Sequence, residues 1–104
     1  MAWFAVRTIY AFGVKDDGKN VYEERIVAFE ADEWAQAMAK ARAEADSYAL
    51  EQQLKAHPVL VAYEQDGDAL VDGYELWSEL FESPLDLGEF YAIRYSAFDY
   101  SPPR

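Results

Sequence analysis

A chain of 104 residues is long enough for one hydrophobic core and too short for two, and its 52% share of hydrophobic residues argues against intrinsic disorder. The formal net charge of −11 disfavours nucleic-acid binding, in which Lys and Arg side chains neutralise phosphates. Because there is no cysteine, disulfides, thiolate zinc sites and cysteine nucleophiles are excluded.

The start of the chain, MAWFAVRTIY, has no basic region followed by an apolar block and a small-residue cleavage site, so we expect no signal peptide. No apolar run approaches the roughly 20 residues that a membrane helix needs. We therefore expect a cytoplasmic protein of bacterial type without a membrane partner. Residues 1–100 should form a single domain, and residues 101–104 a tail.

The first two predicted strands form a hairpin. Residues 3–14 are rich in the aromatic and β-branched types that suit a pleated surface, and Asp17-Gly18 suits a tight turn before a second strand over residues 20–30. If these two residues form the turn, Val6 lies opposite Phe29. One face then holds the core side chains Phe4, Val6, Thr8, Val27 and Phe29. A slip of one residue would exchange the two faces.

The period changes after Asp32, which suits a helix N-cap. The next apolar residues recur every three or four positions, a helical stripe that ends before His57-Pro58. The stripe consists of Trp34, Met38, Ala41, Ala45 and Tyr48.

Two further strands are predicted at VLVAYEQ and ALVDGYELWS, around a turn at Asp66-Gly67, and Ser83-Pro84 favours a short helix from about Pro84 to Tyr95. The order is ββαββ(α). The fold class is therefore α+β: an antiparallel sheet of two hairpins with one long helix packed on one face.

Little in the sequence indicates catalysis or a cofactor. His57, the single histidine, adjoins a helix end, where capping is its common role. Residues 68–79 place Asp68, Asp72, Gly73 and Glu79 at calcium-loop spacing, but Leu70 replaces a required ligand and flanking helices are missing. We expect no catalytic residue, no metal and no cofactor. An enzyme that uses only Asp, Glu, Tyr and Arg stays open.

A charge triplet, Glu23, Glu24 and Arg25, lies in the second predicted strand after Tyr22. One interpretation is a salt-bridge lattice on the outer face of the sheet, in which Glu24 reaches Arg7 only if the pairing shifts from the register above. The other is a recognition patch to which Tyr10, Phe12 and Tyr22 contribute aromatic contacts.

The motif WFAVR, then YEERI, then an alanine-rich helix resembles a small bacterial family that is known as a domain of unknown function. The matching residues run through residues 3–50, with Phe4 where the family usually has Tyr. The resemblance implies a single α+β unit and a structural role for Arg7, Tyr22, Glu23, Glu24 and Arg25. It implies no activity or substrate.

The charge is unevenly distributed, since residues 56–93 contain nine acids and no Lys or Arg. We expect a non-enzymatic interaction domain that binds a basic protein partner, such as an immunity protein that inhibits a toxin. Two alternatives stay open: a self-associating homodimer, and a small-ligand sensor or enzyme with a pocket between helix and sheet. The predicted partner-binding residues are Glu64, Asp66, Asp68, Asp72, Glu75, Glu79, Glu82, Tyr74 and Trp77.

Overall fold

The fold is given by a computed structural model in which residues 2–65 and 72–96 are described. The elements, in chain order, are β1 (Ala2–Val14), β2 (Asn20–Ala31), α1 (Trp34–Gln52), β3 (Lys55–Ala56), β4 (Val61–Glu64) and α2 (Leu87–Tyr91), and a π-helical segment (Ala92–Ser96) continues α2. All strand pairings are antiparallel, and α1 packs on the sheet. The α+β class and the ββαββ order are therefore confirmed.

The β1–β2 register differs from the predicted one by two residues, since Val6 lies opposite Val27 and not Phe29. The loop closes at Lys15, whose N–H donates to the Lys19 carbonyl over 2.9 Å, and a bulge between Ala11 and Gly13 adds a further shift. An even shift leaves every side chain on its own face, so the predicted core face of the hairpin is confirmed.

The other edge of β1 carries β3 and β4, one after the other. β3 pairs with Tyr10 and Ala11, and β4 pairs with residues 4–7. His57 continues the line by donating its N–H to the Ile9 carbonyl over 2.8 Å, but Pro58 has no N–H and the pairing stops there. The third row of the sheet is therefore broken into two short strands.

The segment ALVDGYELWS is not a strand in its described part, because residues 74–83 have no regular secondary structure. Its first three residues lie outside the described part of the chain, as does the predicted turn at Asp66-Gly67. The last two strands are thus β3 and β4, which pair with β1 and not with each other.

Helix α1 packs its alanines against the sheet, where Ala37, Ala41 and Ala45 are buried. The core consists of Phe4, Val6, Ala31, Ala37, Ala41 and Leu60. Glu33 occupies the N-cap instead of Asp32, and Trp34 is exposed. The helix also ends earlier than predicted, because Gln53 turns into the left-handed region (φ 57°) and the chain then joins the sheet.

The second helix begins later than predicted, and its predicted last turn is the π-helical segment. Asp86 caps it by accepting the Glu89 N–H over 2.9 Å, so the helix begins at Leu87. The same hydrogen bond holds the pKa of Asp86 below its usual range. Ser83, the predicted N-cap, instead accepts the Leu85 N–H over 3.1 Å in the preceding turn.

Candidate binding surface

The outer face of the sheet, opposite α1, has an arginine near its centre. The Nη1 atom of Arg7 lies 2.7 and 2.8 Å from the two carboxylate oxygens of Glu79. The guanidinium also lies 5.6 Å from the ring centroid of Trp77, within cation–π range. Residues 77–79 are thereby fixed on the sheet by a charge-assisted contact and an aromatic contact.

Glu24 joins this arrangement from β2. Its carboxylate lies 3.8 Å from Arg7 and 3.9 Å from Arg94. In the observed register Glu24 lies opposite Ile9 and diagonal to Arg7. From the sequence, a contact between Glu24 and Arg7 is expected only if the pairing shifts, and in the shifted register this contact is present. We call Arg7, Glu24, Trp77, Glu79 and Arg94 the outer-face cluster.

The other two charges of the triplet point to α1. Glu23 accepts a hydrogen bond of 2.8 Å from the Tyr48 hydroxyl, which raises the pKa of Tyr48 above its usual range. Arg25 donates to Glu44 over 2.7 Å and lies 3.7 Å from the Tyr48 ring centroid, and the hydrogen bond to Glu44 raises the pKa of Arg25.

The interpretation of the triplet as a salt-bridge lattice on the outer face is therefore wrong for Glu23 and Arg25, which face α1. It is confirmed for Glu24, which makes its ion pairs on the outer face. The proposed recognition patch also loses a member, because Tyr10 is buried and its ring packs edge-on against Tyr48 at 5.1 Å. Phe12 and Tyr22 are exposed.

The predicted partner-binding acids take different positions. Four of them are exposed and make no ion pair or hydrogen bond within residues 2–65 and 72–96: Glu64, Asp72, Glu75 and Glu82. Glu79 is turned inward to Arg7, and its side chain is 26% exposed. Asp66 and Asp68 lie outside the described residues.

The two predicted aromatic anchors are half-buried. Trp77 lies between Arg7 and Tyr63, with the two aromatic ring centroids 6.1 Å apart. Tyr74 also has a contact of its own within the protein. Trp77 therefore takes part in holding its segment on the sheet, which the sequence pattern alone does not indicate.

Many bases are occupied by internal contacts. Lys40 donates to the Glu30 carbonyl and Arg42 to the Pro58 carbonyl, over 2.7 and 2.6 Å. Arg7, Arg25 and Arg94 face carboxylates within 4.0 Å. These five bases therefore have local contacts, whereas the side chains of Glu64, Asp72, Glu75 and Glu82 have none among the described residues.

Residues 72–95 also expose apolar side chains, and we call this range the C-terminal strap. Leu80 is 96% exposed and Leu87 86% exposed. Other large exposed side chains in the strap are Leu76, Phe81, Leu85, Tyr91, Ile93 and Tyr95. So many exposed apolar side chains in one segment favour an interaction surface. The sequence pattern does not indicate this surface, because residues 72–78 alternate like a strand and residues 84–95 follow a helix start signal.

A groove of about 1360 Å³ lies between the outer face of the β1–β2 hairpin and the strap. Ile9, Ile26, Trp77, Phe81 and Tyr95 contribute apolar surface to it. It lies on the face opposite the helix–sheet interface, where the sequence suggests a ligand pocket. That interface is filled by the core.

Within residues 2–65 and 72–96, no group of three His, Asp or Glu side chains is arranged to hold a metal ion. No helix in these ranges combines the length and apolar character needed to cross a membrane. No protein-family model, curated protein or solved structure matches the chain. The resemblance of the first 50 residues to a domain of unknown function stays a prediction.

Proposed function

We propose that this protein is a non-enzymatic interaction domain whose C-terminal strap binds a basic protein partner, in the manner of an immunity protein that inhibits a toxin. The observation that carries the proposal is the composition of the strap surface. Exposed leucines occur there together with exposed carboxylates that make no contact within the described residues.

Charge supports this choice of partner. The chain carries 20 acids and 9 bases, and several of the bases make contacts inside the fold. The carboxylates of Asp72, Glu75 and Glu82 project into solvent, where they attract a basic surface from a distance. Such steering raises the association rate and favours partners of the opposite charge.

The apolar residues supply the short-range part of binding. Leu76, Leu80 and Leu87 lie in the same segment as the free carboxylates. Burying one leucine side chain contributes about 1.5–3 kcal/mol. An apolar centre with a charged rim is the usual organisation of a protein–protein interface.

Affinity capture tests the proposal. The tagged protein is incubated with lysate of the source organism at low and at high ionic strength. We expect a basic protein to be retained at low salt and released at high salt, because the steering charges are screened. Recovery that is indifferent to salt, or recovery of acidic proteins only, would contradict the proposal.

A homodimer is the second candidate, and the β2 edge favours it. β2 is a strand of 12 residues at the end of the strand order, with no neighbour on its outer edge among the described residues. An unpaired edge can add a strand from a second copy. Sedimentation equilibrium tests this, and a monomer at high micromolar concentration would exclude it.

A further inference from the structure

Every residue of the outer-face cluster except Arg7 lines the groove, which differs in charge composition from the molecule as a whole. Three bases and two acids line it: Lys15, Lys19 and Arg94 against Glu24 and Glu79. Glu79 is already neutralised by Arg7 at 2.7 Å. Asp17 lies near Lys15 and Lys19, and the hydrogen bond from the Lys19 N–H lowers its pKa together with the charges of these two lysines. In a chain with a net charge of −11, this groove is a place where bases outnumber acids in the lining.

Arg94 lies at the wall of the groove and has hydrogen-bond donors that no described residue accepts. Its guanidinium lies 3.9 Å from Glu24, which is too far for a hydrogen bond, and its side chain donates none to any residue in 2–65 or 72–96. Phe81 and Tyr95 flank it, with ring centroids 5.4 and 5.2 Å from the guanidinium carbon. The planar donors of Arg94 are therefore held by two rings at the groove wall.

The groove also has apolar surfaces, which would contact an apolar part of a ligand. Ile9 and Ile26 lie on its sheet side, and Trp77, Phe81 and Tyr95 lie on its strap side. Ligand sites commonly combine an apolar lining of this kind with a few polar groups that fix orientation. The volume of about 1360 Å³ exceeds the usual 300–1,000 Å³ of such sites, so a single small ring would not fill it.

We propose that this groove binds an amphipathic organic anion, with the anionic group at Arg94 and Lys19 and a multi-ring or chain body between the sheet and the strap. A carboxylate, sulfonate or phosphate accepts charge-assisted hydrogen bonds from the guanidinium. The site does not depend on the proposed function, because the same cations would repel a basic partner from the groove.

The test uses two probes with the same ring system. 8-Anilinonaphthalene-1-sulfonate carries the anion, and N-phenyl-1-naphthylamine lacks it. Binding to the full chain is followed in two-dimensional ¹H–¹⁵N spectra, in which the Trp77 indole N–H and the amides of residues 18–22 report on the groove. We expect the sulfonate to shift these signals and to bind at least about tenfold more tightly than the neutral probe.

Variants locate the effect. Arg94→Gln should weaken sulfonate binding about tenfold, while Arg42→Gln, on α1 and away from the groove, should leave it unchanged. Lys19→Gln is a second variant in an exposed loop, so weaker binding there would support the site even if Arg94→Gln failed to fold. Equal affinity for the two probes, shifts confined to other regions, or full affinity in both groove variants would overturn the proposal.

Discussion

Arg7 and Glu79, which are 72 positions apart in the chain, form an ion pair of 2.7 Å on the outer face of the sheet. Their side chains are 19% and 26% exposed, so water screens the pair only in part. This contact connects the centre of the first strand to the C-terminal strap. It thus determines where the proposed interaction surface lies.

The first prediction concerns this pair. A double-mutant cycle with Arg7→Gln and Glu79→Gln should give a coupling free energy of about 1–2 kcal/mol in urea unfolding, because a charge-assisted hydrogen bond is lost. Glu82→Gln, an exposed acid of the same strap, should change the free energy of unfolding by less than about 0.5 kcal/mol. A coupling energy near zero would show that the strap is not held at this point.

The second prediction concerns Tyr48 at alkaline pH. Because the hydrogen bond to Glu23 raises the pKa of Tyr48 in the folded state, the unfolded state loses this proton first as pH rises above 10.0. The contribution of Tyr48 to stability is therefore complete below pH 10 and declines as pH rises through the folded-state pKa. Absorbance at the tyrosinate band follows the ionisation of the tyrosines, and the difference between the unaltered protein and Tyr48→Phe isolates the ionisation of Tyr48. We expect this difference to develop above pH 10. In Glu23→Gln the same difference should move to lower pH, and an unchanged difference would contradict the assignment.

The third prediction concerns the helix–sheet interface. Ala41 is buried against the sheet, while Ala39 on the same helix is exposed. Ala41→Leu should lower the free energy of unfolding by about 1–3 kcal/mol through overpacking. Ala39→Leu should change it by less than about 0.5 kcal/mol. Equal effects in the two variants would mean that α1 does not present the observed face to the sheet.

The sequence predicts the hairpin faces and the middle of the α1 stripe, but it wrongly includes Trp34, which is exposed, and leaves out Ala37, which is buried. Strand alternation decides which side chains face the core, so Phe4 and Val6 are placed correctly even though the pairing differs by two residues. Helical spacing likewise places Ala41 and Ala45. These signals are local and do not depend on the rest of the chain.

The candidate site could not be predicted in the same way. The segment around Trp77 alternates like a strand, but Arg7 and Tyr63 hold Trp77 on the outer face in an irregular conformation. A contact across 72 positions leaves no periodic trace in the sequence. One feature of the sequence could have drawn attention to Arg94: it is the first Lys or Arg after Lys55.

The fourth prediction concerns the exposed leucines of the strap. Leu80→Ser together with Leu87→Ser should change the free energy of unfolding by less than about 0.5 kcal/mol, since both side chains are already in water. The pair should nonetheless weaken capture of the basic partner, because the apolar anchors are removed. Leu50→Ser, at an equally exposed position on α1, is the control that should keep full capture. Full capture by the double variant would show that these leucines do not contact the partner.

The central claim is that the location of the acids, and not the net charge, selects a basic partner. Two variants that each lose four negative charges test it most directly. The first neutralises the acids in question as Glu64→Gln, Asp72→Asn, Glu75→Gln and Glu82→Gln. The second neutralises exposed acids elsewhere as Asp16→Asn, Glu33→Gln, Asp46→Asn and Glu51→Gln.

The measurement is the affinity of each variant for the captured basic protein at low ionic strength. We predict that the first variant binds at least about tenfold more weakly than the unaltered protein and that the second stays within about twofold of it. Equal affinities in both variants, whether both unchanged or both weakened, would contradict the claim.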